Sequence, residues 1–304
     1  MIRAPALRAL GLLSPARRGG DPSAVEPEEP RGGVRSLGRP VPSEGHRRAT
    51  RECLLALAAV EAMLEDGHAG RDAIEGERTG LLYATAAAYG ASNRGFIEGS
   101  GSGIHFAYTA PAGVPAEVAI EFGVTGPYAI FLGGPPATLR AIWQAALWLD
   151  AGACDRALVL AVEIFDECAD LYARAARLLG RPLVEAAGCL WLEPGRGRLV
   201  FESRRGAGRR ARPLRKDDGE MLGCAPLAAL DRWRRGGALA PLDLVGAWRG
   251  EQARLVWGEG AEVECPVKAP GNGPERSAGD ARVHGAPALE ASDISPGRSI
   301  DVQR

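Results

Sequence analysis

Two apolar segments of different period follow one another between residues 136 and 162, and they limit the architectures open to this chain. Residues 136–150 (PATLRAIWQAALWLD) are apolar on most faces of a helix and are stopped by Ala151-Gly152. A helix of that kind belongs inside a core rather than on a surface. Residues 156–162 (RALVLAV) form an unbroken apolar run, the pattern of a strand covered on both faces. A buried helix beside a doubly covered strand predicts an α/β fold, with helices layered on a sheet.

The surrounding sequence extends the alternation. Residues 47–66 carry apolar side chains at helical spacing, from Leu54 and Leu55 to Met63 and Leu64, and Gly67 closes them. This predicts a helix with a wide buried face. Residues 79–85 (TGLLYAT) and 128–132 read as strands, 115–122 as a short helix between Pro115 and Gly123, and 187–193 (AGCLWLE) as a further strand. At the N-terminus, residues 1–15 end in Gly11-Leu12-Leu13-Ser14-Pro15 and read as a strand running into a turn. Residues 16–45 are rich in Pro, Gly, Arg and Glu without periodicity and read as a loop. Residues 222–235 look helical and 253–257 look like a strand. The Gly-, Pro- and Ser-rich residues 259–304 have few large apolar side chains and read as disordered. The expected organisation is a main domain at 1–203, a helix-and-strand extension at 204–258 and a tail at 259–304.

Charge and cysteine usage exclude several classes of function. The 304 residues are 46% hydrophobic, and 37 basic against 38 acidic side chains leave a formal net charge of −1. That balance gives no electrostatic reason for nucleic acid or an anionic membrane as partner. The run Arg204-Arg205-Gly206-Ala207-Gly208-Arg209-Arg210 reads as a solvated loop. No stretch reaches the ~18–20 apolar residues of a membrane helix. Arg8 interrupts the first apolar segment, so it does not read as a secretory signal. The six cysteines (Cys53, Cys154, Cys168, Cys189, Cys224, Cys265) contain no CxxC pair and read as reduced thiols in a cytoplasmic protein.

Several segments, in order, resemble the amino-terminal half of β-ketoacyl synthases, members of the thiolase-like superfamily. Gly11-Leu12-Leu13-Ser14-Pro15 resembles the family's first strand and its exit. Arg47-Arg48-Ala49 leading into Leu55-Ala56-Leu57-Ala58-Ala59 resembles its first long helix. Glu77-Arg78-Thr79-Gly80-Leu81-Leu82-Tyr83-Ala84-Thr85 resembles the next strand. The most specific piece is Ala119-Ile120-Glu121-Phe122-Gly123-Val124-Thr125-Gly126-Pro127, which resembles the approach to the nucleophile strand. Ala151-Gly152-Ala153-Cys154-Asp155-Arg156-Ala157-Leu158-Val159, with Glu163 beyond, resembles the segment after the nucleophile helix. The resemblance covers roughly residues 5–195. It implies a thiolase-like N-terminal half, a mixed sheet covered by helices, with an irregular N-terminal loop and a disordered C-terminal tail.

The resemblance also implies a chemistry that the residues do not support. Family enzymes place a cysteine at a sharp turn entering a buried helix, whose N-terminus stabilises the thiolate. Backbone N–H groups there stabilise the oxyanion. Aligned on Gly126-Pro127 and Leu139, that position is Pro135, within the elbow remnant Gly133-Gly134-Pro135-Pro136. Proline has no thiol and no N–H, although it starts helices well. It cannot imitate the glutamine found there in decarboxylating relatives either.

The family's second half, with its His-Gly-Thr, Lys and Gly-His motifs, is expected to be missing. The four histidines are His46, His68, His105 and His284, and His284-Gly285-Ala286 lacks the surrounding pattern. The cysteines inside the matched region read as small buried hydrophobes. Asp166-Glu167-Cys168-Ala169-Asp170 has no histidine at ligand spacing and reads as a helix start rather than a metal site. Gly99-Ser100-Gly101-Ser102-Gly103 lacks the Lys-Ser/Thr ending of a phosphate loop.

The expected function is therefore that of a pseudo-enzyme without cofactor or metal. It would be a chain-length-factor-like partner of an active ketosynthase in fatty-acid or polyketide biosynthesis. The resemblance implies dimerisation with that subunit or with itself through the strand at 128–132, and an acyl carrier protein as a further partner. The alternative is an acyltransferase on acyl-carrier-protein or coenzyme A thioesters with a relocated nucleophile.

Overall fold

The apolar runs at 79–85 and 156–162 are unbroken because both faces of these strands are covered. In β3 (Thr79–Thr85) every residue is buried, and in β5 (Arg156–Glu163) every residue after Arg156 is buried. Successive side chains of a strand point to opposite faces. Leu82, Ala84, Ala157, Val159 and Ala161 accordingly join one core cluster, while Leu81, Tyr83, Leu158, Leu160 and Val162 join the other. The first cluster is completed by α4 (Pro135–Asp150), and the second by α1 (Arg51–Asp66) and α3 (Gly113–Glu121). The result is a sheet between helical layers. The computed structural model describes residues 2–15, 33–38, 49–99, 103–205, 219–236 and 241–258. The tail from 259, Cys265, His46, His284, the basic run beyond Arg205 and Ser100-Gly101-Ser102 lie outside the described residues.

The sheet is mixed. β3 pairs in parallel with β4 (Tyr128–Leu132) on one side and with β5 on the other. β7 (Ala186–Arg205) runs antiparallel to β5, and β1 (Ile2–Leu13) runs antiparallel along the opposite side of β7. β7 is much longer than the strand expected at 187–193. Its first part lies beside β5, and its second part, from Arg198 to Arg205, pairs with β9 (Glu251–Gly258). β9 in turn pairs with β8 (Leu242–Trp248). Pro194 and Gly195 sit within β7, opposite the shift in the β1 register at Ala4/Ala6. Proline inside a strand is accommodated at such irregularities.

The helix expected at 222–235 is present as a 3-10 turn at Leu222–Cys224 followed by α6 (Ala225–Arg235). The strand expected at 253–257 is the centre of β9. Leu227, Leu230, Leu244, Ala253, Leu255 and Trp257 all enter the same core cluster as α4. Several elements were not anticipated: α2 (Gly90–Ile97), α5 (Ala169–Leu179), for which only a start was expected, β8, and a two-residue pairing of β2 (Val34–Arg35) with β6 (Leu183–Val184). The last places structure inside a segment read wholly as loop.

Trp143 and Trp148, both on α4, are half-buried: Trp143 stacks on Phe201 at 5.7 Å between centroids, and the Trp148 ring lies against Gly80. Among the described residues, no helix is long and apolar enough to cross a membrane.

Candidate functional site

β4 ends at Leu132, and the chain must reverse sharply to start α4. Gly133 makes that reversal with φ at +147°, a conformation that side chains rarely adopt, and its N–H donates to the Thr85 carbonyl at 2.9 Å. Gly134 caps the helix, and its carbonyl accepts from the Ala137 N–H at 2.9 Å. Pro135 and Pro136 are the first two residues of α4. The opening N–H groups of a helix have no partner within it, so prolines start the helix without losing internal bonds. They also remove two donors from the end where an oxyanion would be stabilised. The turn-then-helix shape expected from Gly133-Gly134-Pro135-Pro136 is thus present, with neither thiol nor these two amides. Gly134, Pro135 and Pro136 are all buried.

Two segments from the C-terminal side of the described chain close over this turn, and neither was anticipated as part of the site. The first is the 3-10 turn before α6. Thr138, in the first turns of α4, donates its hydroxyl to the Gly223 carbonyl at 2.5 Å, and the Gly223 N–H donates to Glu163 at 3.0 Å. The second is β8. A Cβ on Gly246 would stand 2.7 Å from the Cβ of Pro135, and a Cβ on Gly134 would stand 2.7 Å from the Trp248 ring. Contacts this close exist only because both positions are glycine. Trp248 also packs with the apolar cluster of Ala87, Phe165 and Leu222.

Glu163 ends β5 beneath the turn and is fully buried. Its carboxyl oxygens accept from the N–H groups of Ala86 (2.7 Å), Gly223 (3.0 Å) and Ala87 (3.0 Å). Burial pushes its pKa up to about 8, against the opposing pull of those N–H groups and of the Thr85 hydroxyl. Glu163 is a buried junction between β3, β5 and the turn before α6. The sequence signal was present: an acidic residue closing an otherwise apolar strand.

The described cysteines are not poised as nucleophiles. Cys53, Cys154, Cys168, Cys189 and Cys224 are free thiols, each at most 3% exposed. Burial pushes the Cys53 thiol up to about 12 and raises those of Cys154, Cys168, Cys189 and Cys224 as well. A thiol needs a stabilised, accessible thiolate to react. The acidic segment around Cys168 is tied up in ion pairs, Glu167 with Arg51 and Asp170 with Arg94. His68 lies in the turn after α1, remote in sequence from the α4 elbow. Among the described residues, no group of His, Cys, Asp and Glu could hold a metal ion.

Residues 39–178 match the family model of the β-ketoacyl synthase N-terminal domain. That segment of the chain is similar to the β-ketoacyl synthase N-terminal domain. Solved structures agree at the level of the fold. The ishigamide ketosynthase/chain length factor superposes with a TM-score of 0.63 at 16% identity, covering 84% of this chain and 99% of that chain. A type II polyketide synthase acyl-carrier protein in complex with its ketosynthase bound to the hexaketide gives 0.65 at 14% identity, covering 85% and 99%. The ketosynthase in complex with its chain length factor from Xenorhabdus doucetiae gives 0.55 at 15% identity, covering 83% and 99%. No curated protein matches the chain. The mixed sheet with helices on both faces is therefore similar in fold to these ketosynthase and chain-length-factor structures, and Pro135 opens the helix that follows β4.

Proposed function

We propose that this chain is a non-catalytic, chain-length-factor-like partner of an active ketosynthase in cytoplasmic fatty-acid or polyketide biosynthesis. The observation that carries this reading is Pro135 at the first position of α4, where the family enzymes place their nucleophile. Residues 1–203 supply the ketosynthase-like domain, and residues 204–258 form an extension whose apolar side chains pack back onto it. The buried, thiol-raised cysteines speak against the alternative of an acyltransferase with a relocated nucleophile. Intact-mass analysis after incubation with acyl- and malonyl-thioesters of a carrier protein tests the choice. No mass gain is expected; a stoichiometric gain mapped to a cysteine would overturn the non-catalytic reading. For the same reason Pro135→Cys is expected to leave condensation activity at background, because a thiol alone supplies no base or histidine pair to promote decarboxylation. Elongation by that variant, followed with radiolabelled malonyl thioester, would contradict the assignment.

The partner is placed at the outer edge of the sheet. Among the described residues β4 is the terminal strand of the sheet, with no strand paired on its far side, and Tyr128 and Leu132 are 69% and 57% exposed. An apolar open edge is an association surface unless it is covered. An active ketosynthase subunit, or a second copy of this chain, would pair there. The double change Tyr128→Lys with Leu132→Lys is expected to weaken co-purification with the ketosynthase, or self-association, by at least ~10-fold, since charges at an interface centre cost more than ~1.4 kcal/mol. Unchanged association measured by analytical ultracentrifugation would move the interface elsewhere.

A further inference from the structure

We infer that the β8–β9 hairpin is a built-in plug, with Trp248 seated on the outer side of the Gly133-Gly134-Pro135-Pro136 turn and closing it to acyl chains. The inference rests on reading that turn as the remnant of the nucleophile elbow. It adds a second, independent block to the missing thiol.

Three observations converge on it. The first is the fit. Trp248 lies so close over Gly134 that a single added carbon would meet its ring at 2.7 Å, and Gly246 lies equally close to Pro135. The space a side chain or substrate would need in front of the turn is filled by the chain itself, and Trp248 also packs against the apolar cluster that includes Ala87, Phe165 and Leu222. The second is the rigidity of the hairpin. Its tip is a two-residue loop, Arg249-Gly250, with φ of +46° and +80°, and Trp248 pairs directly with Glu251 across it. Positive φ at both loop positions is the geometry that matches strand twist and holds a tight hairpin. Arg249 lies over the Trp248 ring at 5.6 Å. The third is a latch to the helix it covers. Arg140, on α4, is ion-paired with Glu251, and Ser203 on β7 bridges the two, accepting from Arg140 at 3.0 Å and donating to Glu251 at 3.3 Å. The plug is therefore held from α4 itself and from its neighbouring strand.

The test uses a reporter thiol at the plugged position. Pro135→Cys is made in a chain carrying Cys265→Ser, so that the remaining native thiols are the buried ones. Alkylation by iodoacetamide, in which the thiolate displaces iodide, is followed by intact mass and the site mapped by peptide mass. With Trp248 in place, Cys at 135 is expected to react at least ~10-fold more slowly than a free cysteine, because reactivity follows thiolate exposure. Adding Trp248→Ala is expected to raise the rate by at least ~10-fold, and Trp248→Phe to leave most of the protection. Circular dichroism checks that each variant is folded. If Trp248→Ala fails to fold, the double change Arg140→Ala with Glu251→Gln releases the latch without hollowing the core and is also expected to accelerate labelling. Labelling at the free-cysteine rate with Trp248 present, or a rate that neither set of changes raises, would overturn the plug. Failure of the non-catalytic reading shows instead in the unmodified chain, as an acyl mass gain on a native cysteine.

Discussion

Replacing Arg51 by Met is expected to destabilise the protein by about 3–5 kcal/mol, the range for removing one partner of a buried ion pair. Glu185 is fully buried, in the short link between β6 and β7, and the Arg51 side chain is 9% exposed. The guanidinium donates to Glu185 Oε1 at 3.0 Å and Oε2 at 2.5 Å, to Glu167, and to the Leu37 carbonyl. Glu185 also accepts from the N–H groups of Leu37 and Phe165, both at 2.7 Å. One carboxylate thus joins four separate parts of the chain: the segment after β2, the start of α1, the residues following β5 and the entry to β7. Without Arg51 the buried carboxylate loses this charged partner in a low-dielectric interior. Arg51→Lys keeps the charge but loses the two-pronged geometry, so an intermediate loss is expected. Urea denaturation of the three proteins measures this. A loss under ~1 kcal/mol for Arg51→Met would show that the pair behaves as an exposed one.

Much of the layered core was legible because local periodicity carries it. The strands at 79–85 and 156–162 could be read because burial on both faces removes every polar side chain from such strands. The helix at 136–150 could be read for a related reason: it faces the sheet on one side and α6 on another. The turn into α4 was legible too, since Gly-Gly-Pro-Pro combines a residue tolerant of positive φ with two helix starters. What escaped were features that no local pattern encodes. α2 (GASNRGFI) has no buried residue, so it carries no apolar stripe to detect. The β2–β6 pairing joins two residues to two others nearly 150 positions away, too short to leave an alternating pattern. The partnership of Arg51 with Glu185, and the approach of Trp248 and Gly246 to the elbow, depend on chain returns that only the assembled sheet defines. Only residues 253–257 looked like a strand here, and nothing local says that the hairpin they belong to ends over a turn more than 100 residues earlier.

Glu163→Ala is expected to cost more than any other single change near the elbow. Three N–H groups, those of Ala87 and Gly223 buried and that of Ala86 partly buried, point at the Glu163 carboxyl. Each would be left without an acceptor, at about 1–3 kcal/mol apiece, and a cavity would be added. Glu163→Gln keeps the shape and one acceptor oxygen. If that oxygen serves Ala86 and Gly223, the new amide NH2 faces the Ala87 N–H, and a loss of about 1–3 kcal/mol follows from that one unsatisfied donor. The two variants also separate in their response to pH. Burial raises the Glu163 pKa to about 8, from 4.5 in an exposed chain. The folded state therefore holds the proton more tightly than the unfolded state. This contribution to stability is fully present below pH ~4.5 and is lost progressively as pH rises to ~8, beyond which the loss levels off. Glutamine does not titrate in this range. Chemical denaturation at pH 5, 7 and 9 is therefore expected to show a decline in the native protein that is reduced in Glu163→Gln. Equal slopes in the two proteins would mean that Glu163 stays ionised when folded, held by its three N–H donors. The stability of the turn before α6, and with it the cover over the elbow, would then rest on a buried anion instead of a buried acid.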